Sequence, residues 1–402
     1  MQRGSFQWMK SLNKSIILNK IRTDGPISRA QIAKESNLTP PTVGSIVKEL
    51  IAQGIVVESV LGASQGGRKP TMLLINNSDF YIIGIDAGPF DMRFILSDLS
   101  GKVLTQDTKE IKIPITKEEF LNMLKGGVRT LISENVHIKE KIIGVGVAMH
   151  GVVEIETGTS LYAPNLDLRD IPIKQELENT FDFEVKVEND ARALAMAEKW
   201  FGGNENSKNM MVVNVGRGIG AGLVINGQLY HGEYDIAGEV GHMTLDVNGE
   251  TCQCGNRGCL QTFASSTAIA KRAVQSIDKS PVLSEMVGGD LAMVSGKTVY
   301  EAAKQGDENC QHIIKEAGRY IGIGLCNLVH IVNPGKIIIN GGVSKAQEFL
   351  LEPIKAELQA RALTPKAKQT EVVVSTLGDH ATSLGAVSLL LVELFNPGVM
   401  DK

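Results

Sequence analysis

Gly238-Glu239-Val240-Gly241-His242-Met243-Thr244-Leu245-Asp246-Val247-Asn248-Gly249-Glu250-Thr251-Cys252-Gln253-Cys254-Gly255-Asn256-Arg257-Gly258-Cys259 sets one imidazole close to three thiols, the cysteines falling inside eight residues. His242, Cys252, Cys254 and Cys259 are the donor set of a closed tetrahedral zinc site, and four protein ligands leave no position for water. One structural zinc ion per chain is therefore expected, wrapped by the loop through Gly255 and Gly258 and locking His242 beside a cleft. The other two cysteines, Cys310 and Cys326, lie in apolar, helix-like surroundings and read as core. Thiolate ligands rather than a disulfide framework belong to a reducing compartment. Met1 to Lys10 has no apolar stretch ahead of a cleavage site, and the longest apolar run, near Leu384 to Phe395, is too short for a bilayer of roughly 30 Å. The expectation is a cytoplasmic protein with no membrane span.

Outward from this cluster the chain alternates between strand-like and helix-like segments. Tyr81 to Asp86, Met92 to Leu96 and Lys102 to Ile111 read as strands, Lys117 to Glu134 as a helix and Ile142 to Val147 as a buried strand. The same order returns with Met210 to Val215, Ala221 to Ile225 and a short third strand, then a helix of roughly Ile313 to Val332 and the strand Lys336 to Ile339. A length of 402 residues suggests two or three folding units. Two similar α/β halves, with a ligand-holding cleft between them, are the simplest arrangement of this pattern.

The amino-terminal stretch is different in charge. Residues 1–76 carry ten Lys plus Arg against four Asp plus Glu, a net of +6, which leaves −10 on the remainder of a chain whose total is −4. Asn13 to Arg22 spaces Ile16, Ile17, Leu18 and Ile21 as a helix that stops at Asp24-Gly25-Pro26. Ser28 caps a second helix, Arg29 to Ser36, with Ala30, Ile32 and Ala33 inward. Asn37-Leu38 turns the chain, and Thr39 caps a third helix whose first positions tolerate Pro40 and Pro41. Val43, Ile46, Val47 and Leu50 form its buried stripe. Ile55 to Val57 and Thr71 to Ile75 then flank Gly62 to Pro70 as a hairpin wing with a basic tip. Helix, tight turn, helix and wing in a basic segment point to DNA. Contacts are expected from Ser28, Arg29 and Gln31, from Thr39, Pro40, Pro41, Thr42, Ser45 and Lys48 along the third helix, and from Arg68 and Lys69 on the wing. A protein-interaction module is the alternative, and it has no need of the wing's charge.

Gly238 to His242 followed by Cys252 to Cys259 resembles the signature of the ROK family of repressors, open reading frames and kinases. Val187-Glu188-Asn189-Asp190-Ala191 resembles the sugar-binding and catalytic segment of its hexokinase-like members, and Ala163-Pro164-Asn165-Leu166 resembles another sugar-contact segment. The basic head with Gly66-Gly67-Arg68-Lys69-Pro70 resembles the repressor branch, with the greatest likeness to xylose repressors of Gram-positive bacteria. The resemblance implies an α/β actin-like, ribonuclease-H-like sugar-kinase fold of two lobes behind a winged helix-turn-helix. On that reading residues 1–76 bind DNA and residues 77–402 bind sugar, with lobes of about 77–190 and 191–402, and the chain assembles as a homodimer or homotetramer. It further implies that Asn165, Asn189, Asp190, Glu239 and His242 face a monosaccharide, with Gly151 lining the pocket and Gln261 standing where kinases carry a sugar-binding glutamate. His242 could then serve zinc with one ring nitrogen and a sugar hydroxyl with the other. From the residues alone Asp190 reads equally as a cap for the Ala-rich helix Ala191 to Trp200. The resemblance favours the sugar.

In the family's kinases the counterpart of Asp190 is the catalytic base, and two glycine-rich turns hold the nucleotide phosphates. Here Asp190 persists as a vestigial base. The first turn reads Asp86-Ala87-Gly88-Pro89-Phe90-Asp91, in which Pro89 removes an N–H donor, Phe90 adds bulk and Asp91 repels phosphate. The second, Gly216-Arg217-Gly218-Ile219-Gly220-Ala221-Gly222, keeps its glycines but carries Arg217 in place of threonine, and Gly341-Gly342-Val343 survives where the nucleotide base would pack. The expectation is a repressor and not an enzyme, in which a sugar entering the inter-lobe cleft releases operator DNA. An ATP-dependent, glucokinase-like sugar kinase is the alternative, and the opposite sign, with sugar as co-repressor, stays open.

Overall fold

The computed structural model describes residues 12–59 and 70–395. The chain forms two compact units, one from residues up to Ala193 together with those from Asp379 onward, the other from Leu194 to Gly378.

The first unit begins with helices Leu12–Asp24, Arg29–Ser36 and Pro40–Ala52, with strand β1 (Ile27–Ser28) between the first two and strands β2 (Val56–Ser59) and β3 (Met72–Ile75) after the third. Ile17, Leu18, Ile21, Ile32, Val43, Val47, Leu50 and Leu73 fill its core. The wing strands pair antiparallel from Val56 opposite Ile75 to Ser59 opposite Met72. The two-residue β1 extends that sheet along β3 and is too short to leave a sequence pattern. Ala30, expected to face inward, lies on the open side of its helix, and Ile46, expected in the buried stripe of the third helix, is only half-buried. A helix of eight residues turns only Ile32 and Ala33 fully inward, while on the first helix the buried stripe includes Lys14, whose ammonium lies 3.1 Å from Glu49.

Next come β4 (Tyr81–Ala87), β5 (Asp91–Asp98), β6 (Val103–Glu110), the helix Lys117–Glu134 and β7 (Ile142–Met149). A small antiparallel sheet of β8 (Val152–Glu154), β9 (Thr159–Ala163) and β10 (Leu168–Ile171) precedes β11 (Glu184–Asn189). The main sheet runs β11-β7-β4-β5-β6, with β11, β7 and β4 parallel and β5 and β6 antiparallel. The closing helix Ala381–Phe395 packs against β4 and β7. Gly84 and Gly146 make that approach possible, because a Cβ at either would overlap the carbonyl oxygen of Ser383 or Ala386. The second lobe was expected to run to residue 402, whereas this helix belongs to the first unit. The reason is the pair of small residues on β4 and β7, which accept an almost wholly buried helix.

The second unit repeats the plan. β12 (Met210–Val215), β13 (Ile219–Ile225), β14 (Gln228–Tyr230), β15 (Lys336–Asn340) and β16 (Glu371–Val374) are ordered β14-β13-β12-β15-β16. β12 pairs antiparallel with β13 and parallel with β15, as β4 does with β5 and β7. Cys310 and Cys326 are buried on the long helix Glu308–Val332 that crosses this sheet's core. No helix among the described residues is long and apolar enough to cross a membrane.

Candidate functional site

In the second unit, a short turn at Val240–His242 brings the imidazole toward a loop that doubles back on itself. The Cys252 N–H donates to the Asn256 carbonyl at 2.7 Å, and the Gly255 N–H to the Cys252 carbonyl at 2.9 Å. Thr244 bridges to Cys259 across the loop. These bonds gather His242, Cys252, Cys254 and Cys259 so that their ligand atoms all lie within 4.8 Å of one another. Cys254 Sγ is 3.8 Å from Cys259 Sγ, and Cys252 Sγ is 3.7 Å from His242 Nδ1. Bonds of about 2.3 Å to sulfur in a tetrahedron require sulfur atoms about 3.8 Å apart, so the four donors fit one metal ion. Burial and crowding by Cys254 and Cys252 push the Cys259 thiol up to about 12, so thiolates here call for a cation to balance them. Burial pushes the His242 pKa down, keeping the ring neutral as a ligand must be. Its Nε2 points the other way, 3.9 Å from Glu239 Oε2. Gln261, expected to face sugar, donates from Nε2 to Cys252 Sγ at 3.2 Å. An amide can serve a thiolate in this way, and a carboxylate cannot.

In the first unit, three parallel strands deliver polar groups at their carboxyl ends, where open α/β sheets place ligands. β4 ends at Asp86-Ala87, β7 is followed by His150-Gly151, and β11 ends at Asn189 with Asp190 opening the helix Asp190–Phe201. Asn189 Oδ1 accepts from the Ala191 and Arg192 N–H groups at 3.0 and 3.2 Å, so the helix cap is principally Asn189. Its Nδ2 donates to the Gly151 carbonyl at 2.9 Å. Asp190 Oδ1 accepts from the Ala191 N–H at 2.8 Å. Its Oδ2 makes no hydrogen bond among the described residues. Gly151 has φ +87, and a Cβ there would overlap the Tyr162 carbonyl oxygen and Pro164. Its turn therefore sits directly against the one that carries the half-buried Asn165.

Electrostatics mark the same place. Burial, then the nearby charge of Asp190, push Asp86 up to about 7, against the pull of Arg93. Asp190 is also raised, by burial foremost. His150 is buried, its Nδ1 lies 2.9 Å from the Ala87 carbonyl oxygen, and its Nε2 has no partner among the described residues. Sequence reasoning missed Asp86 and His150 as site residues. The available signal was a polar residue at the end of a buried parallel strand, within two residues of a glycine.

In the turn after β4, the Phe90 carbonyl accepts from the Ile111 N–H at 2.5 Å and the Phe90 side chain is 41% exposed. Asp91 turns its carboxylate onto Arg93 at 3.1 Å. In the second unit, Gly216-Arg217-Gly218 closes the β12–β13 hairpin, with the Gly216 N–H on the Gly218 carbonyl at 2.9 Å.

In the amino-terminal part, Ser28 and Thr39 cap their helices by accepting from the Gln31 and Thr42 N–H groups at 3.2 and 3.4 Å. Thr39, Pro40, Pro41, Ser45 and Lys48 are exposed along one helix, with Thr42 half-buried. Arg29 pairs with Glu58 at 2.8 Å, and Lys20 is held by Asp24 and Glu35. The domain's four acids thus meet Lys14, Lys20 and Arg29 in holding the fold. Lys34 and Lys48 are exposed with no ion pair among the described residues. Arg68 and Lys69 lie outside the described residues.

Comparison with known proteins agrees with this geometry. Residues 82–393 match the ROK family, and residues 14–57 match the winged helix-turn-helix DNA-binding family. The chain is 33% identical over 394 residues to a xylose repressor of Caldicellulosiruptor bescii, covering 98% of each sequence. Among solved structures, it is similar to a ROK family transcriptional regulator described as a homolog of the E. coli MLC protein, with TM-score 0.83, 28% identity and coverage of 96% of this chain and 99% of that one. It is also similar to a ROK family glucokinase from Streptomyces griseus in complex with glucose and AMPPNP, with TM-score 0.69, 29% identity and coverage of 77% of this chain and 98% of that one.

Proposed function

The chain belongs to the ROK family, and from that premise we propose that it is a sugar-responsive DNA-binding transcriptional repressor of carbohydrate utilisation genes, with D-xylose the first effector to try. One observation carries this reading. The regulator is matched over 96% of this chain and the glucokinase over 77%, and residues 14–57 match a winged helix-turn-helix DNA-binding family. In this reading the helix Pro40–Ala52 enters the major groove through Thr39, Pro40, Pro41, Thr42, Ser45 and Lys48, with Ser28, Arg29 and Gln31 beside it and Arg68 and Lys69 on the wing. A homodimer or homotetramer supplies the paired half-sites an operator presents.

The sugar contacts are Asn165, Asn189 and Asp190 in the first unit, with Gly151 shaping their loop, and Glu239 and His242 in the second. Buried carboxylates and amides of this kind discriminate epimers because a misplaced hydroxyl leaves one of them unpaired. Zinc is the metal that suits three thiolates and an imidazole, and its role is to hold the His242 loop. Gln261 supports that centre through Cys252. The turn after β4 supports a sensor over a kinase: Pro89 offers no N–H to phosphate, and the carboxylate of Asp91 stands where a phosphate's charge would be unwelcome.

Sugar and operator oppose each other, and by linkage each weakens the other by the same factor. The test is a gel shift on the DNA upstream of its own coding sequence, run against a panel of monosaccharides. One sugar is expected to release the operator, and an Asp190→Asn variant is expected to hold DNA whatever sugar is added. Indifference to every sugar and duplex sinks the reading, and ATP-dependent phosphorylation of a sugar, abolished by Asp190→Asn, replaces it with a kinase.

A further inference from the structure

The reading above leaves His150 without a task, although the fold goes to some length to place it. It stands at the carboxyl end of β7, 5% exposed, with Nδ1 2.9 Å from the Ala87 carbonyl oxygen at the end of β4. A carbonyl oxygen only accepts, so Nδ1 carries the hydrogen, and the neutral ring is left with a lone pair on Nε2. Burial holds the imidazole below its usual pKa, against the opposing pull of the Ala87 carbonyl and of Asp190, which keeps the ring neutral. Nε2 is buried with no hydrogen-bond partner among the described residues. A dry, unpaired acceptor is costly, and such groups persist where something else completes them.

The surroundings say what that something is. Asp190 is an acceptor when ionised, and its charge acts on both His150 and Asp86. A gap faced by acceptors lacks donors. A metal ion is the first donor-seeking partner to consider, but among the described residues only His242, Cys252, Cys254 and Cys259 bring three or more such ligand atoms within 4.8 Å of one another. Asp86, His150 and Asp190 form no such group. Adjacent hydroxyls suit separate acceptors, because each carries its own hydrogen and the sugar ring spans between them.

We propose that His150 is an effector-reading residue, its Nε2 accepting a hydrogen bond from one hydroxyl of the monosaccharide while a neighbouring hydroxyl donates to Asp190. The proposal rests on the sugar-sensor reading and adds to it a specificity-determining position. A sugar that lacks this hydroxyl leaves Nε2 dry and is rejected.

The test uses the full-length protein. Calorimetric titration with D-xylose, D-glucose and a panel of other aldopentoses and aldohexoses identifies the tightest sugar, and each monodeoxy form of it is then titrated. Wild type is expected to lose roughly tenfold to a hundredfold in affinity for one deoxy form. In His150→Asn the amide N–H can keep the Ala87 carbonyl, but nothing stands at the Nε2 position. The parent sugar and that same deoxy form should then bind alike. His150→Gln, which carries an amide oxygen farther out, should recover part of the difference. On unmodified protein, the unprotonated Nε2 resonance in imidazole nitrogen NMR should move when the parent sugar is added, a readout independent of any variant's folding. If His150→Asn binds the parent sugar as tightly as wild type and the resonance stays still, the proposal is overturned, while the sensor reading survives provided Asp190→Asn still abolishes binding. If no sugar in the panel binds wild type, both fall together.

Discussion

At the scale of the residue, Asp86 carries a carboxyl well away from what its type would suggest. Its carboxyl is pushed up to about 7 by burial first and by Asp190 second. Folding therefore favours the protonated form. Its charged form burdens the folded state increasingly as pH climbs from the ordinary carboxylate range through about 7. Asp86→Asn removes that burden without changing the shape. The variant is expected to be more stable than wild type by about 1–3 kcal/mol at pH 8, with the gain shrinking toward zero near pH 4. Urea unfolding at the two pH values measures it, and an equal gain at both, or a loss at pH 8, would show that the carboxylate is stabilised where it lies.

At the scale of the element, the third helix of the amino-terminal part offers the cleanest separation between holding the fold and meeting a partner. Lys14, Lys20 and Arg29 are engaged by the domain's own acids, and Lys48 is not. Lys48→Ala should leave the melting temperature within a degree or two, weaken operator binding, and lower the slope of log K against log salt by about 1. A weaker complex with an unchanged slope would place Lys48 away from the phosphates. The start of this helix was legible in advance, because Thr39 as cap and Pro40 and Pro41 in the first turn are local signals that no tertiary contact overrides, whereas Ile46 in its expected buried stripe is only half-buried. The strands β4, β5 and β7 were legible for a similar reason: long, mostly buried runs have only one way to be satisfied. What stayed hidden depended on distant partners. β1 has two residues and exists only because β3 passes beside it. Ala30 looks apolar and inward until the packing of a short helix decides which side faces in. His150 had no motif to announce it, since its meaning comes from Ala87, sixty-three residues earlier. Gln261 read as a sugar-facing residue, and its bond to Cys252 could be seen only once the loop had folded.

At the scale of the molecule, the two sheets share one plan strand for strand, yet only the second unit carries the thiol cluster. Removing the metal should therefore loosen the unit of Leu194–Gly378 in particular. A strong chelator that takes the metal content to zero is expected to lower the calorimetric melting temperature by on the order of 5–10 °C, with recovery when zinc is returned. A melting curve indifferent to metal loss would mean that the loop is held by its hydrogen bonds alone.

The helix Ala381–Phe395 has a consequence for how the protein comes into being. It fills the faces of β4 and β7 that Gly84 and Gly146 leave bare, and it also meets the helix Leu12–Asp24, where the Arg22 guanidinium lies 5.8 Å from the Phe395 ring centroid. Ribosomes make the helix Leu12–Asp24, β4 and β7 well before they reach the helix Ala381–Phe395. During synthesis the unit of Leu194–Gly378 can complete itself while its predecessor waits, half-built, for a piece not yet translated. The DNA-reading head gains this support only once the chain has been made through Phe395, so a nascent chain interrupted before that helix yields a head without its footing.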